Sequence, residues 1–232
     1  MGKVKPIKKI ARIVGVLYLA GMLFGIFGNI LIQSIFNQPD YLSLIPSNSL
    51  KLTIGAIFLL MTSVWDASHG ILMFPILKNY NERFAYGYLS FRIINATFLA
   101  LQVLFILVQF SISKEYPLAD YQFRNALQSF SRLYLNLNEY AYQIAMIFVG
   151  LASIFLCYIL YKANLVPKFI SLWGLFGYLT IFFGSVFEIL GYNMHLYHTI
   201  PGGVWELFIG VWLIVEGFNL HQKLYRPLEV TI

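Results

Sequence analysis

Six long apolar stretches, each about the length needed to cross a bilayer, dominate this sequence. A transmembrane helix needs about 20 mostly apolar residues, because the hydrocarbon core is about 30 Å thick and a helix rises about 1.5 Å per residue. We therefore expect residues 1–232 to form one all-α transmembrane domain, a polytopic bundle of six helices. The predicted spans are residues 10–36, 51–77, 85–113, 137–162, 168–192 and 202–221.

The composition excludes a water-soluble globule. Hydrophobic residues make up 59% of the chain and charged residues 11%, whereas soluble domains have roughly 45–50% and about 25%. The net charge of +6 would suit nucleic acid, but the basic residues stand at the ends of apolar stretches, where anionic lipid headgroups attract them. We therefore expect membrane lipids, and no nucleic acid, as partners.

The basic residues also predict how the chain is threaded. They concentrate in the amino terminus and in the second and fourth connections, and Lys223 and Arg226 add two at the carboxy terminus. The first and fifth connections hold almost none, apart from Lys51. Because cytoplasmic loops carry the excess of Lys and Arg, we expect both termini on the cytoplasmic side of a prokaryotic cytoplasmic membrane.

The third connection is the one long loop, and its pattern predicts an interfacial helix between spans three and four. Apolar residues recur there at three-to-five-residue steps, as on the face of an amphipathic helix. Such a helix is either a lid over an outward cavity or a connector lying on headgroups. The apolar positions are Leu118, Phe123, Leu127, Phe130, Leu133, Tyr134 and Leu137.

Small residues mark two faces for close helix packing. Gly21, Gly25 and Gly28 form such a groove in the first span, and Gly177 and Gly184 begin a seven-residue repeat in the fifth. Close packing of small residues replaces the hydrophobic force that is absent between helices in lipid. We expect these faces to point into the bundle, with association between copies as the alternative; the oligomeric state stays unknown.

Ionisable and amide residues inside the spans are expensive in lipid and therefore turn inward. At about 1.5 Å per residue, they fall into two predicted buried layers. Asp66 and Arg92 lie at similar depth, which predicts that they are mutual partners. The inner layer holds Asp66, His69, Arg92, Asn95 and Glu216, and the outer layer holds Asn29, Gln143, Glu188 and Glu206. The layers either line a hydrated cavity or are closed ion pairs that fix helix register.

Familiar catalytic patterns are absent from the sequence. It has no Gly-x-Ser-x-Gly elbow, no His-Glu-x-x-His helix and no phosphate-binding loop, so it identifies no catalytic residue and no cofactor. Asp66 with His69, and His195 with His198, each supply only two ligands, so we expect no metal site. The single cysteine, Cys157, excludes an intrachain disulfide.

Short motifs over nearly the whole chain resemble a family of prokaryotic six-span membrane proteins, domain of unknown function 4386. They are Ala11 to Leu19, Asp66 and Phe74, Leu77-Lys78-Asn79 with Asn81, Phe91-Arg92, Phe148 to Leu151, Tyr158 to Lys162, Pro167-Lys168, and Glu206 with Trp212-Leu213 and Gly217. Asp66, Arg92 and Glu206 match polar positions of the family, whereas His69 and Glu216 depart from it. The resemblance implies fold and membrane location but no activity.

Three functions fit these features. The first is a binding or sensing bundle that holds an apolar or amphipathic ligand near Asp66, Arg92 and Glu206. The second is a small proton- or ion-coupled transporter in which Asp66 or Glu206 carries the ion. The third is an intramembrane enzyme that uses Asp66 and His69; because no catalytic motif supports it, we expect the protein not to be an enzyme.

Overall fold

A computed structural model of the chain describes residues 4–219, with side chains described from residue 7 onward except at residue 196. The predicted end of the last span at His221, and the basic residues Lys223 and Arg226, lie outside the described residues. The helices are α1 (Val4–Phe36), α2 (Tyr41–Leu44), α3 (Ser49–Lys78), α4 (Glu82–Glu115), α5 (Tyr121–Lys162), α6 (Lys168–Ile189) and α7 (Ile200–Val215).

Six helical segments of the described residues are long and apolar enough to cross a membrane. Five correspond to α1, α3, α4, α5 and α6, and the sixth, Tyr197–Val215, joins part of the 3-10 turn His195–Thr199 to α7. The described residues form no β-strand. The prediction of an all-α bundle with six spanning helices is therefore confirmed. A helix satisfies every backbone hydrogen bond within itself, which is the requirement that lipid imposes on a spanning segment.

The spanning helices form a closed ring in which each helix packs against two neighbours. Chain neighbours are antiparallel, and α7 packs back against α1 to close the ring. The closure needs small residues, since a Cβ added at Gly15 on α1 would lie 2.5 Å from the carbonyl oxygen of Gly210 on α7. We call the end that holds the α3–α4 and α5–α6 turns the amino-terminal end, and the other the opposite end.

The two surfaces of the helix ring have different side chains. On the outside, large apolar residues such as Ile30, Ile71 and Phe176 are exposed by about 60%, as suits contact with acyl chains. On the inside, the aromatic rings of Tyr88 and Trp205 are fully buried. Because apolar side chains cover the outer surface, charged groups within the spans are directed toward the interior.

The small-residue groove of α1 packs within the bundle, as predicted. A Cβ added at Gly28 would lie 2.9 Å from Leu59, and the nearest side chains to Gly21 and Gly25 are also on α3. On α6, Gly177 faces the backbone of Gly202, so α6 and α7 approach closely there. These contacts use both predicted faces for packing inside one chain.

The predicted interfacial helix is not a separate element. Residues 121–136 form the first part of α5, which continues without interruption to Lys162. Asp120 caps the helix by accepting a hydrogen bond from the backbone N–H of Phe123 at 2.8 Å. The sequence from 121 to 162 holds no proline, so nothing breaks the helix where the prediction placed a bend.

The last spanning helix is shorter than predicted. It ends at Val215 rather than at residue 221, because Gly217 adopts a left-handed backbone conformation with φ of 77°. Such a residue after the last turn commonly ends a helix. The backbone N–H of Asn219 then bonds to the carbonyl of Leu165 at 2.8 Å. As a consequence, Glu206 lies near the middle of α7 and Glu216 at its end.

Candidate functional site

Asp66 and Arg92 form an ion pair between α3 and α4. The Arg92 Nη2 lies 3.0 Å from the Asp66 Oδ1, and the two side chains are 4% and 22% exposed. Gly70, one turn along α3, allows this approach, because a Cβ there would lie 3.0 Å from the Cβ of Arg92. The predicted pairing is confirmed. Most of the cost of burying these charges is offset by their mutual attraction.

A histidine–tyrosine pair lies next to this ion pair. The buried His69 shares a hydrogen bond between its Nδ1 and the hydroxyl of Tyr88, and the Arg92 guanidinium lies 6.0 Å from the centre of the Tyr88 ring. The Nε2 of His69 has no hydrogen-bond partner among the described residues. The Tyr18 ring packs edge-on against His69 at 4.3 Å. Four of the aromatic and ionised groups of α1, α3 and α4 therefore meet inside the bundle.

Glu206 reaches the same region from α7. Its Oε1 accepts a hydrogen bond of 2.7 Å from the hydroxyl of Tyr178 on α6. Neighbouring Trp205 donates its indole N–H to the carbonyl of Ile170 at 2.6 Å, which fixes α7 against α6. The Trp205 ring beside Glu206 packs edge-on against Tyr18, and the Tyr18 ring packs against His69, so these groups of α7 adjoin those of α3.

These side chains make one group rather than two layers. We define the central cluster as Asp66, His69, Tyr88, Arg92, Tyr178 and Glu206. The prediction that Glu206 belongs to an outer layer, apart from Asp66 and Arg92, is wrong. It assumed a last span centred beyond Glu206, whereas the early end of α7 places Glu206 near the middle of the helix.

Among the described residues, the other members of the predicted inner layer, Asn95 and Glu216, form no hydrogen bond or ion pair with Asp66 or Arg92. Asn95 is fully buried and donates its amide to the carbonyl of Ala145 at 2.9 Å, linking α4 to α5. Glu216 is the C-cap residue of α7 and is exposed. Its predicted burial is wrong for the same reason: the helix ends at Val215, six residues before the predicted boundary, which places Glu216 at the end of the bundle.

The remaining residues of the predicted outer layer do not meet. Asn29 is exposed and bonds to its own helix, at the carbonyl of Gly25, so its predicted burial is wrong. Gln143 is buried, and its Oε1 has no partner among the described residues. Glu188 is partly exposed and accepts a 2.7 Å hydrogen bond from the backbone N–H of Met194, which holds the turn after α6.

The sequence reasoning missed two polar features. Tyr178 bonds to Glu206, but it lies in an apolar run, where the sequence indicates only an aromatic side chain that packs in the bundle. A second buried network joins Gln109 on α4 to Ser131 on α5, with a 2.6 Å bond from the Ser131 hydroxyl to the Gln109 Oε1. Gln109, an amide inside an apolar stretch, was the available signal for this network.

The central cluster offers acid–base groups but no metal-ligand set. Within residues 4–219, no three His, Cys, Asp or Glu side chains lie close enough to share a metal ion. The cluster holds two carboxyl groups, one guanidinium, one imidazole and two phenols. Groups of this kind bind and pass protons.

Comparison with known proteins gives one match. The family model described as a domain of unknown function (DUF4386) matches residues 13–217, a range that includes every member of the central cluster. No curated protein and no solved structure matches the chain. Since the family model covers most of the chain and agrees with the resemblance seen in the sequence, the protein belongs to the family described as domain of unknown function 4386.

Proposed function

We propose that the protein is a small proton-coupled membrane transporter and that Glu206 binds the coupling proton. The observation that carries this proposal is the charge balance of the central cluster. Asp66 and Arg92 compensate each other at 3.0 Å, whereas Glu206 has a neutral partner, the Tyr178 hydroxyl, at 2.7 Å. With both carboxyl groups ionised, the cluster carries one uncompensated negative charge.

An uncompensated carboxylate is costly in the interior of a membrane bundle. A proton on Glu206 would restore neutrality without any other change of composition. Glu206 would then exchange between a neutral form, favoured in the closed interior, and a charged form that needs a counter-ion or water. A site with these two forms is what coupling of proton movement to a conformational change requires.

Side chains around Glu206 supply groups that can relay a proton. Tyr178 contacts it directly, and the Tyr18 ring packs against His69 at 4.3 Å between ring centroids. His69 holds Tyr88 through one ring nitrogen and leaves the other without a partner among the described residues. An imidazole with one free nitrogen is suited to exchange a proton with water or substrate.

An apolar ligand in this part of the bundle has less support. The aromatic rings of Tyr18 and Tyr178 both pack edge-on against Trp205, at 5.9 and 5.4 Å between centroids. The side chains of Tyr178 and Trp205 are each at most 1% exposed. Since these rings fill the space beside Glu206, protons fit the site better than the ligand of our first hypothesis.

We also propose that both termini face the cytoplasm and that the membrane is the cytoplasmic one. Four basic residues support this orientation by their position at the two turns of the amino-terminal end: Lys78, Arg83, Lys162 and Lys168. Lys78 pairs with Glu82 at 3.0 Å, but the end keeps an excess of positive charge, as cytoplasmic loops do.

Proton flux into proteoliposomes tests the proposed function. The protein is reconstituted with a trapped pH dye, and a potassium diffusion potential drives protons inward. We expect the wild-type protein to acidify the lumen above the rate of empty liposomes, and Glu206→Gln, which cannot ionise, to reduce that rate at least tenfold. Glu82→Gln is the matched control, because Glu82 lies at the surface. Equal rates in Glu206→Gln and wild type, or no flux in wild type, would overturn the proposal.

A further inference from the structure

A polar pocket of about 200 Å³ opens at the opposite end of the bundle, away from the central cluster. It lies between the connection that follows α1 and the first turns of α5. Asp40, Tyr41 and Leu42 line one side, and Tyr116, Gln128 and Arg132 line the other. The end of α1 at Phe36 and the end of α4 at Glu115 place the pocket beyond the apolar belt of the bundle, at the level of lipid headgroups.

Buried hydrogen bonds hold the walls of this pocket in place. The Tyr41 hydroxyl bonds to the Ser131 hydroxyl at 2.5 Å, which fixes the short helix α2 against α5. Ser131 in turn bonds to Gln109 on α4. On the other side, the Gln128 amide donates to the Tyr116 hydroxyl at 2.6 Å. The pocket is therefore built from side chains that are already ordered, which lowers the cost of binding.

The two charged residues of the pocket have no protein partner. Asp40 makes no capping hydrogen bond to α2, and neither Asp40 nor Arg132 takes part in an ion pair or side-chain hydrogen bond within residues 4–219. Arg124, two turns earlier on α5 than Arg132, does have protein partners, because it donates to the backbone carbonyls of Pro117 and Ala119. Asp40 and Arg132 thus face one pocket with opposite charges, and their hydrogen-bonding groups are unused.

We propose that this pocket binds a zwitterion in which an ammonium and an oxyanion stand a few atoms apart. The Asp40 carboxylate would accept hydrogen bonds from the ammonium, and the Arg132 guanidinium would bind the oxyanion with two parallel donors. The Tyr41 ring, which also lines the pocket, adds a surface that attracts cations. The headgroup of phosphatidylethanolamine has this chemistry and reaches the pocket from the bilayer; a free amino acid has it too and would come from solution.

The geometry selects against simple anions and simple cations. An anionic lipid such as phosphatidylglycerol would satisfy Arg132 but bring its phosphate near Asp40 without an ammonium to neutralise that carboxylate. A bare amine would neutralise Asp40 but leave Arg132 without an anion. Only a ligand that carries both charges leaves neither Asp40 nor Arg132 uncompensated. This inference is independent of the proton site, which lies inside the helix ring.

Native mass spectrometry of the full chain tests the proposal with lipids. Detergent-solubilised protein is mixed with equal amounts of phosphatidylethanolamine and phosphatidylglycerol, and retained lipid is counted. We expect phosphatidylethanolamine to be retained at least fivefold over phosphatidylglycerol, and Asp40→Asn with Arg132→Gln to abolish the preference. The matched control combines Lys114→Gln with Glu115→Gln, two exposed, opposite charges near the pocket that are not part of its lining.

A second arm separates the two sources of the zwitterion. Glycerophosphoethanolamine and glycine are added to the lipid-free protein, and thermal unfolding is followed by tryptophan fluorescence. Lipid preference in the first arm identifies the headgroup, whereas a rise in midpoint with glycine, lost in the Asp40→Asn, Arg132→Gln variant, identifies a soluble zwitterion. Because Asp40 and Arg132 are exposed and unbonded, the variant should unfold at the wild-type temperature without ligand. Equal retention of both lipids together with no shift by either solute would overturn the proposal.

Discussion

Replacement of Arg92 by methionine removes the one positive charge of the central cluster while keeping an apolar side chain of similar length. Asp66 then loses its counter-ion inside the helix ring, and Glu206 keeps only its neutral partner, the Tyr178 hydroxyl. Removal of one partner of a buried ion pair costs about 3–5 kcal/mol. We expect the free energy of unfolding to fall by about 3 kcal/mol, the lower limit. The Asp66 side chain is 22% exposed, so a proton can neutralise it when Arg92 is absent.

The size of the pair energy can be bracketed from the geometry. With the charges about 4 Å apart and an effective dielectric constant of about 20, the attraction is about 4 kcal/mol. In membrane proteins the unfolded state also finds partners, and interhelical hydrogen bonds average only about 0.6 kcal/mol. The coupling between Asp66 and Arg92 should fall between these limits, and we expect about 2 kcal/mol.

A double-mutant cycle measures this coupling. Wild type, Asp66→Asn, Arg92→Met and the double variant are unfolded in mixed micelles by increasing SDS, and tryptophan fluorescence reports the free energy of unfolding. The double variant should lose about 2 kcal/mol less than the sum of the two single variants. Lys78→Met and Glu82→Gln form the control cycle. Their pair has the same 3.0 Å separation, but its side chains are 36% and 59% exposed, so solvent screening should make its coupling smaller than that of Asp66 and Arg92.

Two results would refute the reasoning on the ion pair. An Arg92→Met variant that unfolds at the wild-type SDS concentration would show that the guanidinium is not needed to compensate buried carboxylates. A coupling energy equal to that of the Lys78–Glu82 control would show that Asp66 and Arg92 are not direct partners in the membrane.

Two further substitutions test how α6 and α7 pack. Gly177→Ala should destabilise the protein by about 1–3 kcal/mol, because the added Cβ would lie 2.8 Å from the α7 backbone. The control Gly203→Ala should be neutral or stabilising, since no atom lies within 4 Å of its added Cβ. Equal SDS midpoints for the two variants would contradict this. Trp205→Phe should lower the free energy of unfolding by about 1 kcal/mol more than Trp212→Phe does. The Trp205 indole N–H donates a hydrogen bond, whereas the buried Trp212 indole N–H has no partner among the described residues. A larger loss of stability from Trp212→Phe would contradict this.

The spanning helices could be predicted from the sequence because length and hydropathy alone determine what crosses a bilayer. Depth along α3 and α4 was predictable as well, since a fixed rise per residue places Asp66 and Arg92 at one level. The pairing followed because two opposite charges at the same depth, on adjacent antiparallel helices, have no better partner in lipid. These predictions needed no knowledge of which other helices lie nearby.

Helix ends were harder to predict, and they changed the site. Phe218 and Leu220 extended the predicted span past Val215, although Glu216, Gly217 and Asn219 interrupt the apolar run there. The left-handed backbone of Gly217 ends α7. A shift of a few residues in the midpoint of the span moved Glu206 into the central cluster and Glu216 out of it. Conversely, α5 continues where a polar, amphipathic stretch suggested a new helix, because no residue in that stretch breaks it.

Partners supplied by other helices could not be predicted from one sequence. Tyr178 is one of 16 tyrosines, and only the packing of α6 against α7 shows that its hydroxyl bonds to Glu206. The same holds for Tyr41 and Ser131, which are 90 residues apart in the chain. Such contacts depend on how the ring closes, which hydropathy does not encode.

The charge balance of the central cluster is tested most directly by infrared spectroscopy of the protein in lipid. A protonated carboxyl group has a carbonyl stretch that a carboxylate lacks, so a pH titration shows whether a carboxyl group in the protein takes up a proton. The ten Asp and Glu side chains all contribute to this band, so the difference between variants is measured. We predict that the titration of Glu206→Gln lacks one carboxyl component of the wild type and that Glu82→Gln keeps this component. Equal carboxyl titrations of wild type and Glu206→Gln would contradict proton binding by Glu206.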